Sequence, residues 1–283
     1  MDKNNREEVQ VLVAQAASGD KEALEVLIAD VQDMIFNLSL RMLGTFADAE
    51  DATQDILLKI ITHLSSFRGE SSLTTWVFRI AVNYLKNYKK HMFAQHPLSF
   101  EYYGDDIENG SIQDVPDFTQ DVEKSILVEE LKLSCTNVML QCLDTESRCI
   151  FVLGTMFKVD SRIAAEILDI TPEAYRQRLV RIRRKMADFL ERYCGAYGRG
   201  KCKCQDRVNY AVQNHRINPL QLEYTTAMEI SVQTMLDVKH AMEEIDDLSQ
   251  DFSFCKGYQS SQRMEHLIRE LLDSEQFSII RNA

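Results

Sequence analysis

The sequence is poor in the residues that break helices. Its 283 residues include only four prolines and ten glycines. Strand-like alternation is scarce, while apolar residues recur every three or four positions, which excludes a strand-rich fold and reads as all-α. No repeat of fixed period is present. No run of ~18 apolar residues occurs, so no membrane span is expected. The start, "MDKNNREEVQ", lacks the apolar core of a signal peptide, so a cytoplasmic location is expected. There is no phosphate-binding glycine loop, no Ser/His/Asp set and no metal-ligand helix, and the six histidines are scattered, which argues against an enzyme. The seven cysteines are odd in number and unevenly spaced, so they do not read as a disulfide framework. Cys135, Cys142 and Cys149 lie in apolar helical context and read as inert core residues.

What is present is charge, unevenly placed. The net charge is −12, which argues against a general nucleic-acid coat but leaves room for a local basic contact. Six of the 32 Lys and Arg fall in "RQRLVRIRRKM", residues 176–186. Thr171 is a good N-cap and Pro172 suits the first helical position. From there Tyr175, Leu179, Ile182, Met186 and Phe189 form a buried face, leaving the cations around the rest of the helix. A short amphipathic helix, Ser161 to Leu168, precedes it across the turn "DIT". Short helix, tight turn and longer basic helix is the layout of a helix-turn-helix. A solvated basic face or a protein-binding helix would give the same pattern.

The chain divides into four stretches. In residues 5–91, Leu24, Leu27, Val31, Met34, Ile35, Leu38 and Met42 form one core-facing stripe, which Gly44 stops. Thr45 and Asp48 suggest a capping box, and Ser71 or Ser72 an N-cap. "TTWVFRIAVNYLKNYKKH" holds the only Trp among aromatics and cations, a mixture that can stack single-stranded bases; Val77 and Tyr84 in it read as core. Residues 92–121 lie in a stretch, His91 to Glu123, with eight acidic residues and no Lys or Arg. That composition predicts a flexible tether, or an acidic strand for a basic channel. Residues 122–193 read as helices near 122–142 and 145–157 and the helix-turn-helix. Residues 194–283 read as a helical extension, with helices near 205–214, 222–247 and 261–273.

Three stretches, taken together and in order, resemble bacterial RNA polymerase sigma factors of the extracytoplasmic-function group of the sigma-70 family, over residues 6 to about 192. "DAEDATQDILLKI" resembles the helix that binds the polymerase clamp. "FRGESSLTTWVFRIAVNYLKNYKK" resembles the promoter-melting segment that reads the minus-ten element. "VDSRIAAEILDITPEAYRQRLVRIRRKM" resembles the minus-thirty-five helix-turn-helix. The resemblance implies two small helical domains joined by the acidic linker, with the extension added. It implies that Asp48, Glu50, Asp51, Gln54 and Asp55 face the largest polymerase subunit, with the second-largest also contacted. It implies that Thr75, Trp76, Arg79, Asn83, Lys86 and Asn87 handle unpaired promoter bases. It implies that Glu173, Ala174, Arg176, Gln177, Arg178 and Arg181 enter the major groove or line its phosphates. The partners implied are core RNA polymerase, promoter DNA and an anti-sigma factor, with no membrane and no required cofactor. Asp169 and Thr171 depart from the family's usual glycine-first turn, which predicts a slightly strained turn or a different promoter preference.

The extension carries Cys194, Cys202 and Cys204 near glycines. These three thiols are candidate ligands for a structural zinc ion, with His215 or Cys255 as the fourth; reduced surface thiols are the alternative. "AMEISVQTMLDVKHAMEEIDDLSQDF" and "RMEHLIRELLDS" are acidic and amphipathic. They could fold back on the basic helix or on the clamp-binding face, dock a regulator, or form an extra helical layer. Two further readings compete with an initiation factor: a stand-alone helix-turn-helix regulator, and a zinc- or redox-sensing regulator dominated by the extension.

Overall fold

The computed structural model describes residues 3–88, 92–110 and 122–227. The described residues are helical, with a lone bridge between Cys194 and Cys202 as the only strand-like pairing among them. Among them no helix is long and apolar enough to cross a membrane. The helices expected over 222–247 and 261–273 lie mostly or wholly outside the described residues.

The first unit is α1 (Lys3–Ala17), α2 (Lys21–Leu43), α3 (Phe46–His63) and α4 (Leu73–Asn87). Its boundaries follow from caps. Asp20 accepts from the Ala23 amide at 3.2 Å to start α2. Thr45 accepts from the Asp48 amide at 3.2 Å and donates to Asp48 Oδ2 at 2.7 Å, closing the start of α3 from both ends. Ser72, not Ser71, caps α4 through the Thr75 amide at 3.1 Å. Gly44 ends α2 at φ +92°, and a Cβ there would lie 2.6 Å from the Phe93 ring and 2.9 Å from Gln141.

The second unit is α7 (Lys124–Gln141), α8 (Thr145–Phe151) with a π turn over Val152–Met156, α9 (Ser161–Leu168) and α10 (Pro172–Tyr193). Between the units lie two short helices, α5 (Met92–Gln95) and α6 (Phe100–Asn109). The chain continues through α11 (Cys204–Gln213) to α12 (Tyr224–Ala227).

The two units do not keep separate cores. One apolar cluster runs from Val13 on α1 to Leu190 on α10. Phe78 on α4 meets Phe157 edge-on at 5.4 Å. Arg148, 5% exposed, crosses the junction. Its guanidinium donates to the carbonyls of Leu140 (2.9 Å), Gln141 (3.2 Å) and Leu143 (2.8 Å) at the α7–α8 turn, and to Met42 at the end of α2. Gln141 Nε2 adds a bond to the Arg41 carbonyl at 3.2 Å.

Part of the expected tether is ordered and packed. On α6, Phe100 and Tyr103 are buried and sit 5.1 and 5.6 Å from the Phe189 ring of α10. Asp106 on α6 accepts from Tyr210 Oη at 2.7 Å and pairs with Arg216 at 2.7 Å. Arg207 donates to the Ile107 carbonyl from the same side. The acidic stretch thus gains its partners from the extension, about a hundred residues later, and residues 111–121 lie outside the described part.

Candidate nucleic-acid interface

The stripe Trp76, Ile80, Asn83/Tyr84, Asn87/Tyr88 recurs at helical spacing along α4 and faces Asp51, Gln54, Asp55 and Lys59 of α3 across an open cleft of about 980 Å³. Trp76 is held edge-on to Phe67 at 5.5 Å. Tyr84 donates its hydroxyl to Asp55, and the Lys59 ammonium lies 5.8 Å above its ring. Burial, then the Asp55 hydrogen bond and charge, raises the Tyr84 phenol above its ordinary range. Burial, with Asp48, Asp51 and Asp55 nearby, does the same for Tyr88. Both phenols therefore stay neutral. The cleft offers aromatic faces, amides and neutral hydroxyls on one wall and carboxylates on the other.

The expected site residues divide on this frame. Asp51, Gln54 and Asp55 line the cleft with Trp76, Asn83 and Asn87. Asp48 is engaged by Thr45, and Glu50 lies beside the extension, close enough to act on Glu223. Thr75 is only 6% exposed, with its hydroxyl 2.8 Å from that of Ser72, so it belongs to the cap of α4 and not to the cleft. Arg79 pairs with Glu166 of α9, and Lys86 lies on the side of Cys149. Tyr84 and Tyr88 are among the cleft residues that sequence reasoning did not assign, as are Lys59, His63, Ser66 and Ile80. Tyr84 is half-buried, not core, while Val77 is core at 1% exposed. The same stripe that places Trp76 contains both tyrosines and could have shown them.

The second surface is the start of α10. The turn after α9 has Asp169 in the left-handed region at φ +56°, ψ +46°. Asp tolerates that region better than most residues, at a cost of roughly 1 kcal/mol. Thr171 then caps α10 through the Ala174 amide at 3.2 Å, with Pro172 in the first turn. Tyr175 anchors the helix, buried and bonded to the Ile150 carbonyl at 3.2 Å. Glu173, Arg176, Gln177 and Arg181 are exposed and Ala174 is half-buried. Glu173 accepts from Arg176 at 2.8 Å and from Gln177 at 2.9 Å, so the three act as one polar group. Arg178 pairs with Glu146 of α8. Arg183 is structural, donating to Thr155 Oγ1 at 3.1 Å and the Gly154 carbonyl at 3.2 Å.

The first three cysteines of the extension lie at the junction of α10 and α11. Cys194 and Cys202 pair through the backbone, with Gly195 N on Cys202 O at 2.9 Å and Cys202 N on Tyr193 O at 3.1 Å. Cys204 opens α11, and burial raises its thiol to about 11. Among the described residues no group of three or more His, Cys, Asp or Glu is placed to hold a metal ion. The thiols of Cys194, Cys202 and Cys204 nevertheless lie close to one another and to Cys135 on α7: burial first, and then the neighbouring thiols, raise those of Cys135, Cys202 and Cys204. Cys255 lies outside the described residues.

With this geometry in place, the comparisons are specific. The family description "Sigma-70 region 2" matches residues 27–91, which hold α3, α4 and the cleft between them. The ECF RNA polymerase sigma-E factor of Haemophilus influenzae is 29% identical over 185 residues, covering 64% of this chain and 95% of that one. Over these residues the chain is similar to sigma factors of the extracytoplasmic-function group. The RNA polymerase sigma-H factor of Pseudomonas aeruginosa is 26% identical over 192 residues, covering 66% of this chain and 95% of that one. The solved structure of CnrH in complex with the cytosolic domain of CnrY covers 64% of this chain at 24% identity and a TM-score of 0.46. These sigma factors match nearly over their whole length, yet leave about a third of this chain unmatched, so the chain carries an addition to the part it shares with them.

Proposed function

We propose that this chain binds core RNA polymerase and directs it to promoters, where it recognises and melts the DNA. The observation that carries the reading is the α3–α4 cleft within the region-2 match, which sets carboxylates opposite an aromatic and amide wall. The α3 carboxylates suit basic helices of the polymerase clamp. Trp76, Asn83, Asn87 and the neutral Tyr88 suit an unstacked base, because stacking and hydrogen bonds to base edges favour the strand-separated state by roughly 1–3 kcal/mol per base. The start of α10 suits the major groove: Arg176 and Gln177 carry donors for base edges, and Arg181 a charge for phosphate. The chain acts by binding, and the polymerase supplies the chemistry. No cofactor is needed for this role, an anti-sigma factor is a natural further partner, and the site of action is the cytoplasm.

The test is co-elution with purified core polymerase, followed by permanganate footprinting on a promoter taken from upstream of this chain's own gene. The expected result is a stable complex and reactive thymines near the minus-ten element only when both are present. Tight binding of duplex DNA by the chain alone, with no core complex, would instead indicate a stand-alone helix-turn-helix regulator.

A further inference from the structure

Residues 217–225 leave α11 and return to the first unit. Ile217 packs into a small cluster with Leu127, Val128, Val208 and Ala211. Glu130 on α7, only 2% exposed, then receives the backbone that follows. Its Oε1 accepts from the amides of Glu223 (2.8 Å) and Tyr224 (3.1 Å), and its Oε2 from the amide (2.8 Å) and hydroxyl (2.9 Å) of Thr225. A buried carboxylate is stable only when hydrogen-bonded, and here every bond it accepts comes from this one short segment. Beyond it, the Tyr224 ring meets Phe46 at 5.0 Å and closes an apolar patch of Phe36, Leu40 and Ala49.

That patch joins the second half of α2 to the start of α3, and its neighbours on α3 are acidic. Glu50 follows Ala49 directly, and Asp48 and Asp51 flank the pair. With the segment lifted, an apolar patch rimmed by carboxylates would face solvent, which is the composition of a surface for a basic partner. Glu223 also lies near Glu50, so the docked segment brings like charges together. Release returns Glu130 to water and removes that repulsion.

We propose that residues 217–225 are a strap that competes with core polymerase for the start of α3, so that the free chain is partly closed and polymerase binding displaces the strap. The inference rests on the sigma-factor reading above. A closed fraction lowers apparent affinity by the fraction left open. If about one molecule in ten is open, freeing the strap tightens core binding roughly tenfold.

The experiment uses the full chain, unmodified and as Tyr224→Ala and Thr225→Val. Affinity for core polymerase is measured by fluorescence anisotropy, and amide exchange over residues 217–225 is measured with and without core. The expected result is roughly tenfold tighter binding by both variants, and faster strap exchange in the unmodified complex than in the free chain. The exchange readout decides alone if a variant fails to fold. Equal affinities within twofold, or strap amides as protected in the complex as in the free chain, would overturn the strap. No core binding by any form would overturn the sigma-factor reading itself.

Discussion

Replacing Arg148 by Met removes a buried polar tie between the two helical units, to Met42, while keeping a chain of similar length. Arg148 donates to four carbonyls. That of Leu140 keeps a partner, because the Leu143 amide also bonds it at 3.1 Å. Those of Met42, Gln141 and Leu143 lose the guanidinium donor. An orphaned buried acceptor costs roughly 1–3 kcal/mol, so the three together cost on the order of 6 kcal/mol. Part of this is offset. Burial lowers the Arg148 pKa to about 10 from 12.5, and a burial penalty of that size, about 3 kcal/mol, disappears with the charge. The net expectation is a loss near 3 kcal/mol. Urea unfolding followed by far-UV circular dichroism reads it as a lower midpoint at unchanged slope. Amide exchange should quicken first at residues 140–143. A change under about 0.5 kcal/mol would refute the reasoning, because it would mean that the guanidinium bonds are no better than those of water.

Other outcomes follow from the same geometry. Trp76→Ala should weaken binding of single-stranded non-template minus-ten DNA by the polymerase complex by roughly 1–3 kcal/mol, read by anisotropy, with little change in core affinity. Arg176→Ala should relax base preference within the minus-thirty-five element, whereas Arg181→Ala should weaken all sequences alike and lower the salt slope by about one. Burial raises the Cys142 and Cys149 thiols to about 12 from 9.0. Their folded-state pKa is raised, so their contribution is complete below pH 9 and is lost as pH rises towards 12. Unfolding free energy should therefore fall by about 1.4 kcal/mol per pH unit per thiol in that window, and less in a Cys149→Ala chain. Partial burial, with Glu130 and Glu50 nearby, raises the Glu223 carboxyl, so Glu223→Gln should slow amide exchange in residues 217–225.

Local signals made much of this fold legible. The helix-turn-helix was readable to its ends, Ser161 to Leu168 and then Pro172 onward, because cap, proline and stripe agree there. The Thr45 box and the stop at Gly44 were readable for the same reason. What escaped were contacts set by distant residues. The helix Phe100–Asn109 looks like a solvated tether because its apolar partner, Phe189, and its charge partners, Arg207 and Arg216, come much later in the chain. Nothing local to Arg79 shows its ion pair with Glu166, 87 residues later. Thr75 reads as exposed because a cap hydroxyl and a surface hydroxyl look alike in sequence. The C-x-C spacing groups Cys194, Cys202 and Cys204, but nothing local shows that Cys135, about sixty residues earlier, lies near all three. Tyr224 gives no local hint of its place against Phe46.

The most direct test of the central claim is run-off transcription by purified core polymerase from the upstream region of this chain's own gene. The account predicts a discrete transcript that appears only when the chain is added and is lost with Asp51→Ala/Asp55→Ala, which strips the α3 wall of the cleft. A transcript indifferent to the chain, or no transcript beside tight duplex binding by the chain alone, would contradict it.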